Sequence, residues 1–382
     1  MKAVFNKPQI IITGQLLSDY FTKTTFSFDE NKFITLASHN IEKHELKQRS
    51  EQIVIALQQC LPTDQSDSVR ALCSVLAPVK DNHDLKDITT NENGVAGWMV
   101  MPFTEYVGRL DNYDLALALD ALKTLTKRFT SEFGIRHLLL SQPSKCLAIM
   151  LPWCSDPCHH VRRLVSEGTR PLLPWAMQLP EFKLNPDWVK PHLEKLKSDE
   201  SEYVRRSVAN HLNDISKTHP DFVVDIAKRW LSTQADKNTH RMVKHACRTL
   251  IKRGNINVLG VFGYCPPDNI SATFSIDKSM VKVGESLTLG LTLHKNIADN
   301  DSVAVLVDYQ VHHLRGRGQH IAKVFKWKET IMINKQVSFD KVHSFKPINT
   351  RRYYSGLHYI EVLLNGVVVA KQAFELIADE SE

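Results

Sequence analysis

The 382-residue chain lacks the features that define several large classes of protein. Its early apolar run, Ile10-Ile11-Ile12, is broken by Thr13 and Gly14, far short of the ~20 residues that cross a bilayer. It also lacks the long apolar stretch and small-residue cleavage site of a secretory signal. Its seven cysteines form an odd, scattered set rather than a disulfide framework. We therefore expect reduced thiols, a cytoplasmic protein and no membrane partner.

Motifs for nucleotide or metal chemistry are equally scarce. The sequence contains no glycine-rich phosphate loop, no Walker-type motif and no Ser-His-Asp arrangement. Cys154, Cys158, His159 and His160 look like half of a zinc site, but a second spaced pair of ligands is missing. We expect neither a metal, nor a nucleotide cofactor, nor any other cofactor.

Positive charge is concentrated in two stretches of an otherwise ordinary composition. The chain is 43% hydrophobic and 24% charged, as in a folded protein long enough for two domains. Residues 130–255 contain 20 basic and 13 acidic side chains, and residues 301–353 contain 10 and 4. Because the overall net charge is only +6, the rest of the chain is slightly acidic. Such clustering favours a polyanionic partner, with DNA the obvious choice.

A repeated motif indicates the architecture of the first region. His160–Arg170 and Tyr203–Asn210 each place two adjacent arginines just inside an amphipathic helix, and a degraded third copy spans Met242–Leu250. The shared valines of the three copies are 43 and 39 residues apart. Repeats of that length predict a HEAT-like α-solenoid. Adjacent helical residues point about 100° apart, so we expect only Arg163 and Arg206 of the two pairs to face a DNA-binding surface.

The pattern changes after Pro266-Pro267. Apolar and polar residues alternate in several short segments, and Asn365-Gly366 is a strong hairpin signal. About seven such strands predict an immunoglobulin-like β-sandwich. The predicted fold class is therefore multidomain, α then β. We expect a HEAT-like helical repeat domain at residues 1–264 and an immunoglobulin-like domain at residues 268–382.

These features together resemble the AlkC branch of the AlkC/AlkD family of DNA alkylation repair glycosylases. The likeness is carried by Ser131–Arg136, His160–Trp175, Tyr203–Lys217 and Arg351–Tyr354. It covers essentially the whole chain and is weakest before residue 42 and in the polar segment 80–97, which we predict to be a surface loop. The sequence departs conservatively from the family at three positions. Gly134 and Val165 stand where alanine is expected, and Leu172 stands where a basic residue is expected.

The resemblance implies a monofunctional DNA glycosylase that hydrolyses the N-glycosidic bond of cationic N-alkylated bases such as 3-methyladenine. It further implies base excision repair of double-stranded DNA without a deep base pocket, and we expect a monomer. The physical requirement is modest, because a carboxylate near the deoxyribose stabilises positive charge on the sugar and positions a water. Glu132 is our first choice for that role, and Trp175 is our choice for an aromatic platform against sugar or base. Asp214 and Glu167 are the fallback carboxylates, and either is also compatible with orienting the arginines by ion pairing.

Contacts with DNA are expected from both predicted domains. In the helical repeats the expected residues are Arg163, Arg170, Arg206, Asn210 and Lys217. In the sandwich they are Arg315, Arg317, Arg351 and Arg352, of which the first two lie in a glycine-loosened basic loop. On sequence alone, that loop is equally compatible with a solvated hairpin tip.

Residue by residue, several of these signals have simpler explanations. Glu132 is compatible with an ordinary acidic residue in a first helical turn, and Trp175 with a core side chain. Glu167, one turn after Arg163, is better explained as an ion-pair partner. The alternative function is a non-catalytic HEAT scaffold that binds DNA or a protein partner. Only the carboxylate and aromatic side chains favour an enzyme.

Overall fold

The computed structural model describes residues 2–79, 85–111, 114–232, 235–296 and 302–378. The α-helices before residue 151 are α1 (Lys7–Phe21), α2 (Glu30–Ser38), α3 (Leu46–Cys60), α4 (Gln65–Ser74), α5 (Val100–Gly108), α6 (Leu115–Leu125), α7 (Ile135–Ser141) and α8 (Pro143–Met150). The later helices are α9 (His159–Gly168), α10 (Pro180–Leu184), α11 (Lys190–Leu196), α12 (Glu202–Ile215), α13 (Pro220–Leu231), α14 (Lys237–Ala246), α15 (Arg248–Lys252) and α16 (Ile256–Val261). Short 3₁₀ helices occupy Lys2–Val4, Ile41–Lys43, Leu85–Asp87, Gly97–Met99, Leu151–Ser155 and Pro186–Trp188.

Local sequence explains where many of these helices begin. The carboxylate of Asp114 accepts hydrogen bonds from the backbone N–H groups of Ala116 and Leu117 at the start of α6. Helix α3 begins with a reciprocal capping box between Glu45 and Gln48.

The three copies of the repeat are α9, α12 and α14, and they pack side by side in that order. The first arginine of each pair has the same structural role. Arg162 donates to the carbonyl oxygens of Asp156 and Pro157, and Arg205 to those of Asp199 and Glu200. Each of these guanidinium groups therefore satisfies the turn five and six residues before it, which leaves the second arginine of the pair for other contacts.

The chain forms two compact units. One contains Met1–His219 with Ala235–Ala246, and the other contains Pro220–Gln234 with Cys247–Glu382. Helices α13, α15 and α16 thus belong to the second unit. The domain limits 1–264 and 268–382 stay a prediction.

The strands of the second unit form two sheets. They are β1 (Ile270–Ile276), β2 (Met280–Lys282), β3 (Ser286–Lys295), β4 (Val303–Leu314), β5 (His320–Met332), β6 (Gln336–Ser344), β7 (Gly356–Leu364) and β8 (Val367–Ile377). The strand orders are β1-β3-β6 and β2-β8-β7-β4-β5, and every pairing is antiparallel except β2 with β8. Alternate residues of β3 are buried against the other sheet. The predicted order, helices and then a β-sandwich, is confirmed.

Two turns follow from residues that tolerate left-handed backbone. Asn365 and Gly366 have φ angles of 48° and 81° and join β7 to β8, as the hairpin signal predicted. Gly254, with a φ of 67°, follows the end of α15 and separates it from α16. Of the predicted surface loop 80–97, residues 80–84 lie outside the described residues. The side chains of Val95 and Ala96 in its second half are buried, so that half is not a simple surface loop.

Candidate active site

The connection between α9 and α10 presents a tryptophan in an unusual conformation. Pro171 and Pro174 prevent the helix from continuing, and the backbone of Trp175 has a φ of 65°. That left-handed region is unfavourable for a bulky side chain. The Trp175 side chain is nonetheless 64% exposed. Neighbouring residues must therefore stabilise the backbone of Trp175 in this conformation. Backbone strain of this kind is typical of functional sites.

A buried arginine holds this connection on both sides of Trp175. Arg136, on α7, is fully buried. Its Nη1 donates to the carbonyl oxygens of Gly168 (2.9 Å) and Arg170 (2.8 Å), and its Nε donates to that of Met177 (2.7 Å). Burial, together with the positive charge of Arg170, lowers the pKa of Arg136 to about 10. Arg136 therefore stays protonated at neutral pH and fixes the segment from 168 to 177.

A lysine contributes a second anchor. The Nζ of Lys47, on α3, donates to the backbone carbonyl oxygen of Trp175. The same ammonium lies 5.8 Å from the centre of the Phe133 ring. Lys47 thus connects the strained residue to the turn that carries Glu132.

Glu132 lies in that turn, just before α7, and is oriented by two donors. Its Oε2 accepts hydrogen bonds from the hydroxyl of Thr130 at 2.8 Å and from Nη1 of Arg163 at 2.5 Å. The Glu132 side chain is 12% exposed. Because both contacts involve Oε2, the carboxylate is fixed in orientation while Oε1 takes no part in these bonds.

Arg163 joins this carboxylate to the next one. Its Nη2 lies 3.5 Å from Oε1 of Glu167, and its guanidinium lies 4.8 Å from the centre of the Tyr203 ring. Burial alone would lower the pKa of Arg163, but the charges of Glu132 and Glu167 raise it above the ordinary value. The ion pair that the spacing of Arg163 and Glu167 predicted is present.

The chain of opposite charges continues to a third carboxylate. Arg170 donates through Nη1 to Glu167 (2.6 Å) and through Nε to Asp214 (2.9 Å). The other oxygen of Asp214 accepts from Nζ of Lys217 at 2.9 Å, and Ser207 donates to Glu167 at 2.5 Å. Burial would raise the pKa of Glu167, but Arg163 and Arg170 lower it below the ordinary value. Glu167 is therefore ionised at neutral pH.

This arrangement determines what the site can do chemically. Positive and negative side chains alternate from Glu132 to Lys217, and each inner member contacts two opposite charges. A network so fully paired has little freedom to reorganise. It offers carboxylate oxygens at fixed positions, which suits stabilisation of a cationic transition state better than attack by a mobile nucleophile.

The remaining predicted DNA contacts of the helical unit are more exposed. Arg206 lies on α12 and pairs with Glu202 at 3.2 Å at the surface. The amide oxygen of Asn210, one turn later, lies 3.2 Å from Nε2 of His245 on α14. Lys217 is 39% exposed. Arg170, in contrast, is buried between two carboxylates.

The predicted basic residues of the sandwich lie in two loops. Arg315 and Arg317 lie in the β4–β5 turn, which closes with a hydrogen bond from the N–H of Gly318 to the carbonyl oxygen of Arg315. Before β7, Nη1 of Arg351 lies 2.5 Å from Nε2 of His313. Arg351 and Arg352 also lie over the rings of Tyr353 and Tyr354, respectively.

Neither metal-binding nor membrane-spanning elements occur in the part of the chain that the structure describes. Within it, no three side chains of His, Cys, Asp or Glu come together as a metal site. None of the described helices is both long enough and apolar enough to cross a bilayer.

Comparison with known proteins identifies the family. A family model for the C-terminal Ig-like domain of the uncharacterised protein YhaZ matches residues 271–378. The uncharacterized protein YhaZ of Bacillus subtilis (strain 168) is 36% identical over 383 residues, which cover 98% of this chain and 99% of that protein. The alkylpurine DNA glycosylase AlkC of Pseudomonas fluorescens, solved with DNA containing an abasic site analog, is similar with a TM-score of 0.84, 29% identity and 99% of both chains covered.

The architecture is thus a HEAT-like helical region followed by an immunoglobulin-like sandwich, as the sequence predicted. The chain belongs to the AlkC/YhaZ family.

Sequence reasoning did not find every residue that shapes this site. The structure links Glu132, Asp214 and the Trp175 segment through Arg163, Arg170 and other side chains. The side chains with no predicted role are Lys47, Thr130, Arg136, Tyr203 and Ser207. Arg136, Tyr203 and Ser207 lie inside the segments that carry the family resemblance, which was the one available signal. The catalytic and DNA-binding roles of the predicted residues stay predictions.

Proposed function

We propose that this protein is a monofunctional DNA glycosylase that excises cationic N-alkylated bases of the 3-methyladenine type from double-stranded DNA. It acts in base excision repair, as a monomer in the cytoplasm, and without first placing the base in a deep pocket. The observation that carries the proposal is the fixed carboxylate of Glu132, beside the strained segment of Trp175, in a chain similar to AlkC over 99% of its length.

The chemistry needs little machinery because the substrate is already activated. Alkylation of a ring nitrogen gives the base a positive charge, so the base departs as a neutral molecule. Positive charge then develops on the deoxyribose, and a nearby carboxylate stabilises it. The carboxylate also holds the attacking water close to the anomeric carbon. Hydrolysis by water leaves an abasic site with the DNA strand uncut.

Glu132 is the principal catalytic carboxylate in this proposal. Thr130 and Arg163 hold Oε2, so Oε1 is the oxygen directed to the sugar and the water. A carboxylate held before the reaction requires no reorganisation in the transition state. Arg163 is thus a positioning residue, because Glu132 and Glu167 balance its charge.

Asp214 is the second carboxylate, and its ion pair with Lys217 determines whether Oδ1 can contact the sugar. Lys217 pairs with Oδ1 of Asp214 while Arg170 holds Oδ2. The lysine is partly exposed, so its ammonium can exchange Asp214 for a DNA phosphate. That exchange uncovers Oδ1 for the sugar. Arg170, buried and doubly paired, is assigned to positioning rather than to phosphate contact.

Trp175 packs its exposed indole against the sugar or the displaced base. Phosphates are bound by Arg206, Asn210 and Lys217 of the helical unit and by Arg315, Arg317, Arg351 and Arg352 of the sandwich. Arginine and lysine contacts of this kind provide affinity and salt dependence rather than sequence preference.

The direct test incubates excess purified protein with methylated duplex DNA and measures both released 3-methyladenine and strand integrity. The proposal predicts base release with intact strands, which become cleavable by alkali at the new abasic sites. Salt-sensitive DNA binding without base release would favour the non-catalytic scaffold. Strand cleavage by the protein itself would contradict the monofunctional mechanism.

A further inference from the structure

A polar cavity of about 170 Å³ lies beside Trp175, in the helical unit. Its walls come from α3, α5, the turn before α7 and the connection that carries Trp175. A cavity of ~150 Å³ accommodates a benzene ring, so this space suits one planar heteroaromatic molecule. The rings of Phe133 and Trp175 and the thioethers of Met101 and Met177 provide its apolar surface.

Two buried polar groups, on residues that line the cavity, have no hydrogen-bond partner among the residues that the structure describes. They are the hydroxyl of Ser50, a residue that is 3% exposed, and Nε of Arg109. Buried polar groups are normally satisfied, because leaving one unpaired costs about 1–3 kcal/mol. The Nε–H of Arg109 can only donate and the hydroxyl of Ser50 can donate as well, so a hydrogen-bond acceptor suits both groups.

The cavity also offers a hydrogen-bond acceptor, the carboxylate of Glu105, to a ligand group that donates. Glu105 accepts from Arg109 and from His137, and both contacts fall on Oε2. Burial would raise the pKa of Glu105, but His137 and Arg109 lower it, so the carboxylate is ionised. Its Oε1 takes no part in those contacts and suits an amino group of a ligand.

The balance of positive and negative side chains around the cavity indicates a neutral ligand. Lys47 and Arg109 are balanced by Glu51 and Glu105, and Arg109 pairs with both carboxylates. A phosphate would be repelled by the carboxylates, whereas a neutral purine provides ring nitrogens for the two donors and an amino group for Glu105. Stacking combined with such edge contacts is how proteins hold nucleobases outside a helix.

We propose that this cavity binds the neutral adenine-type base after it has been released. The inference rests on the proposed function for the origin of the ligand, but binding of the free base does not require catalysis. The base is cationic while attached to the sugar and neutral afterwards. A charge-balanced cavity beside Trp175 therefore accepts the product rather than the substrate.

The test measures binding of free 3-methyladenine to the DNA-free protein by isothermal titration calorimetry, with wild type and Ser50→Ala. Saturable one-to-one binding is expected, and Ser50→Ala should weaken it about 3- to 10-fold, the value of one hydrogen bond. The variant removes an unpaired buried hydroxyl, so its thermal stability should be unchanged or higher. Ser74→Ala, at an exposed site on α4, is the matched control and should bind like wild type.

A product-inhibition assay separates this inference from the proposed function. Added 3-methyladenine should slow excision by wild type, and Ser50→Ala should need 3- to 10-fold more of it. Normal excision with no binding of the free base, or with binding that Ser50→Ala leaves unchanged, overturns the product site alone. Ser50-dependent binding without excision from methylated DNA retains the purine site and removes the proposed reaction.

Discussion

Two largely buried arginines of the helical unit and one arginine of the sandwich have different kinds of neighbour. Arg163 and Arg170 each contact two carboxylates and are largely buried. In the sandwich, Arg351 contacts His313 and the ring of Tyr353. A carboxylate cancels the charge of its partner, whereas a ring or a neutral histidine leaves that charge in place.

Positive residues of the same chain therefore have two different roles. Paired and buried arginines fix the positions of carboxylates, and they contribute little to long-range attraction. Arginines against aromatic rings remain available to phosphates and strengthen salt-dependent binding. The His313 contact supports this reading, because burial and the neighbouring charge of Arg351 lower the pKa of His313 to about 3. His313 is therefore a neutral acceptor that orients Arg351.

The largest expected effect is on stability, and it tests the role of a buried arginine in the helical unit. Arg136→Ala removes the donor to three backbone carbonyls and should lower the free energy of unfolding by about 3–5 kcal/mol. Urea denaturation followed by circular dichroism measures the change. Arg317→Ala, at an exposed position of the sandwich, is the matched control and should change stability by less than about 0.5 kcal/mol. Equal changes in the free energy of unfolding would contradict the distinction between buried and exposed arginines.

Acid should act on the helical network through a buried histidine. His211, whose Nδ1 lies 2.9 Å from the carbonyl oxygen of Ser166, has its pKa lowered by burial to about 4. Below pH 6.5 the unfolded chain binds a proton at this residue and the folded chain does not. Stability should therefore fall from pH 6.5 towards pH 4, by about 1.4 kcal/mol per pH unit relative to His211→Asn. Parallel stability profiles for wild type and variant would contradict the burial of a neutral imidazole.

Backbone strain at Trp175 should be separable from its function. Trp175→Gly removes an unfavourable left-handed conformation and should raise the free energy of unfolding by up to about 1 kcal/mol, while it abolishes base release. Asn40, with a φ of 51° outside the site, supplies the control. Asn40→Gly should leave base release unchanged. Retained excision in Trp175→Gly would remove the indole from the mechanism.

The smallest effects concern salt dependence. Arg351→Ala and Arg317→Ala should each reduce the slope of log K for DNA against log salt by about 0.9, the value of one phosphate contact. Arg170→Gln should leave the slope unchanged, because that guanidinium is occupied by Glu167 and Asp214. A reduced slope for Arg170→Gln would return Arg170 to the phosphate contacts that the sequence suggested.

Short-range patterns explain which parts of the fold were predictable. Helices α9 and α12 follow from apolar periodicity around each arginine pair, and the β7–β8 hairpin follows from Asn365-Gly366. The ion pair between Arg163 and Glu167 follows from their separation by one helical turn. Each of these depends on residues that are close in sequence.

The site was less predictable because its bonds join distant segments. Arg136 reaches carbonyl oxygens 32–41 residues away, and Ser207 donates to Glu167 from 40 residues away. Backbone carbonyls have no side-chain signature, so the partners of Arg136 leave no trace in the sequence. The bond between Arg170 and Asp214 likewise spans 44 residues, so the spacing of residues in the sequence did not reveal it.

The central claim is that Glu132 performs the chemistry while other residues hold it and the DNA. The decisive measurement compares wild type, Glu132→Gln and the exposed control Glu375→Gln for single-turnover release of 3-methyladenine and for DNA affinity. The account predicts that Glu132→Gln slows release at least about 100-fold with affinity for DNA retained, and that Glu375→Gln behaves as wild type. Release at the wild-type rate by Glu132→Gln would contradict the account.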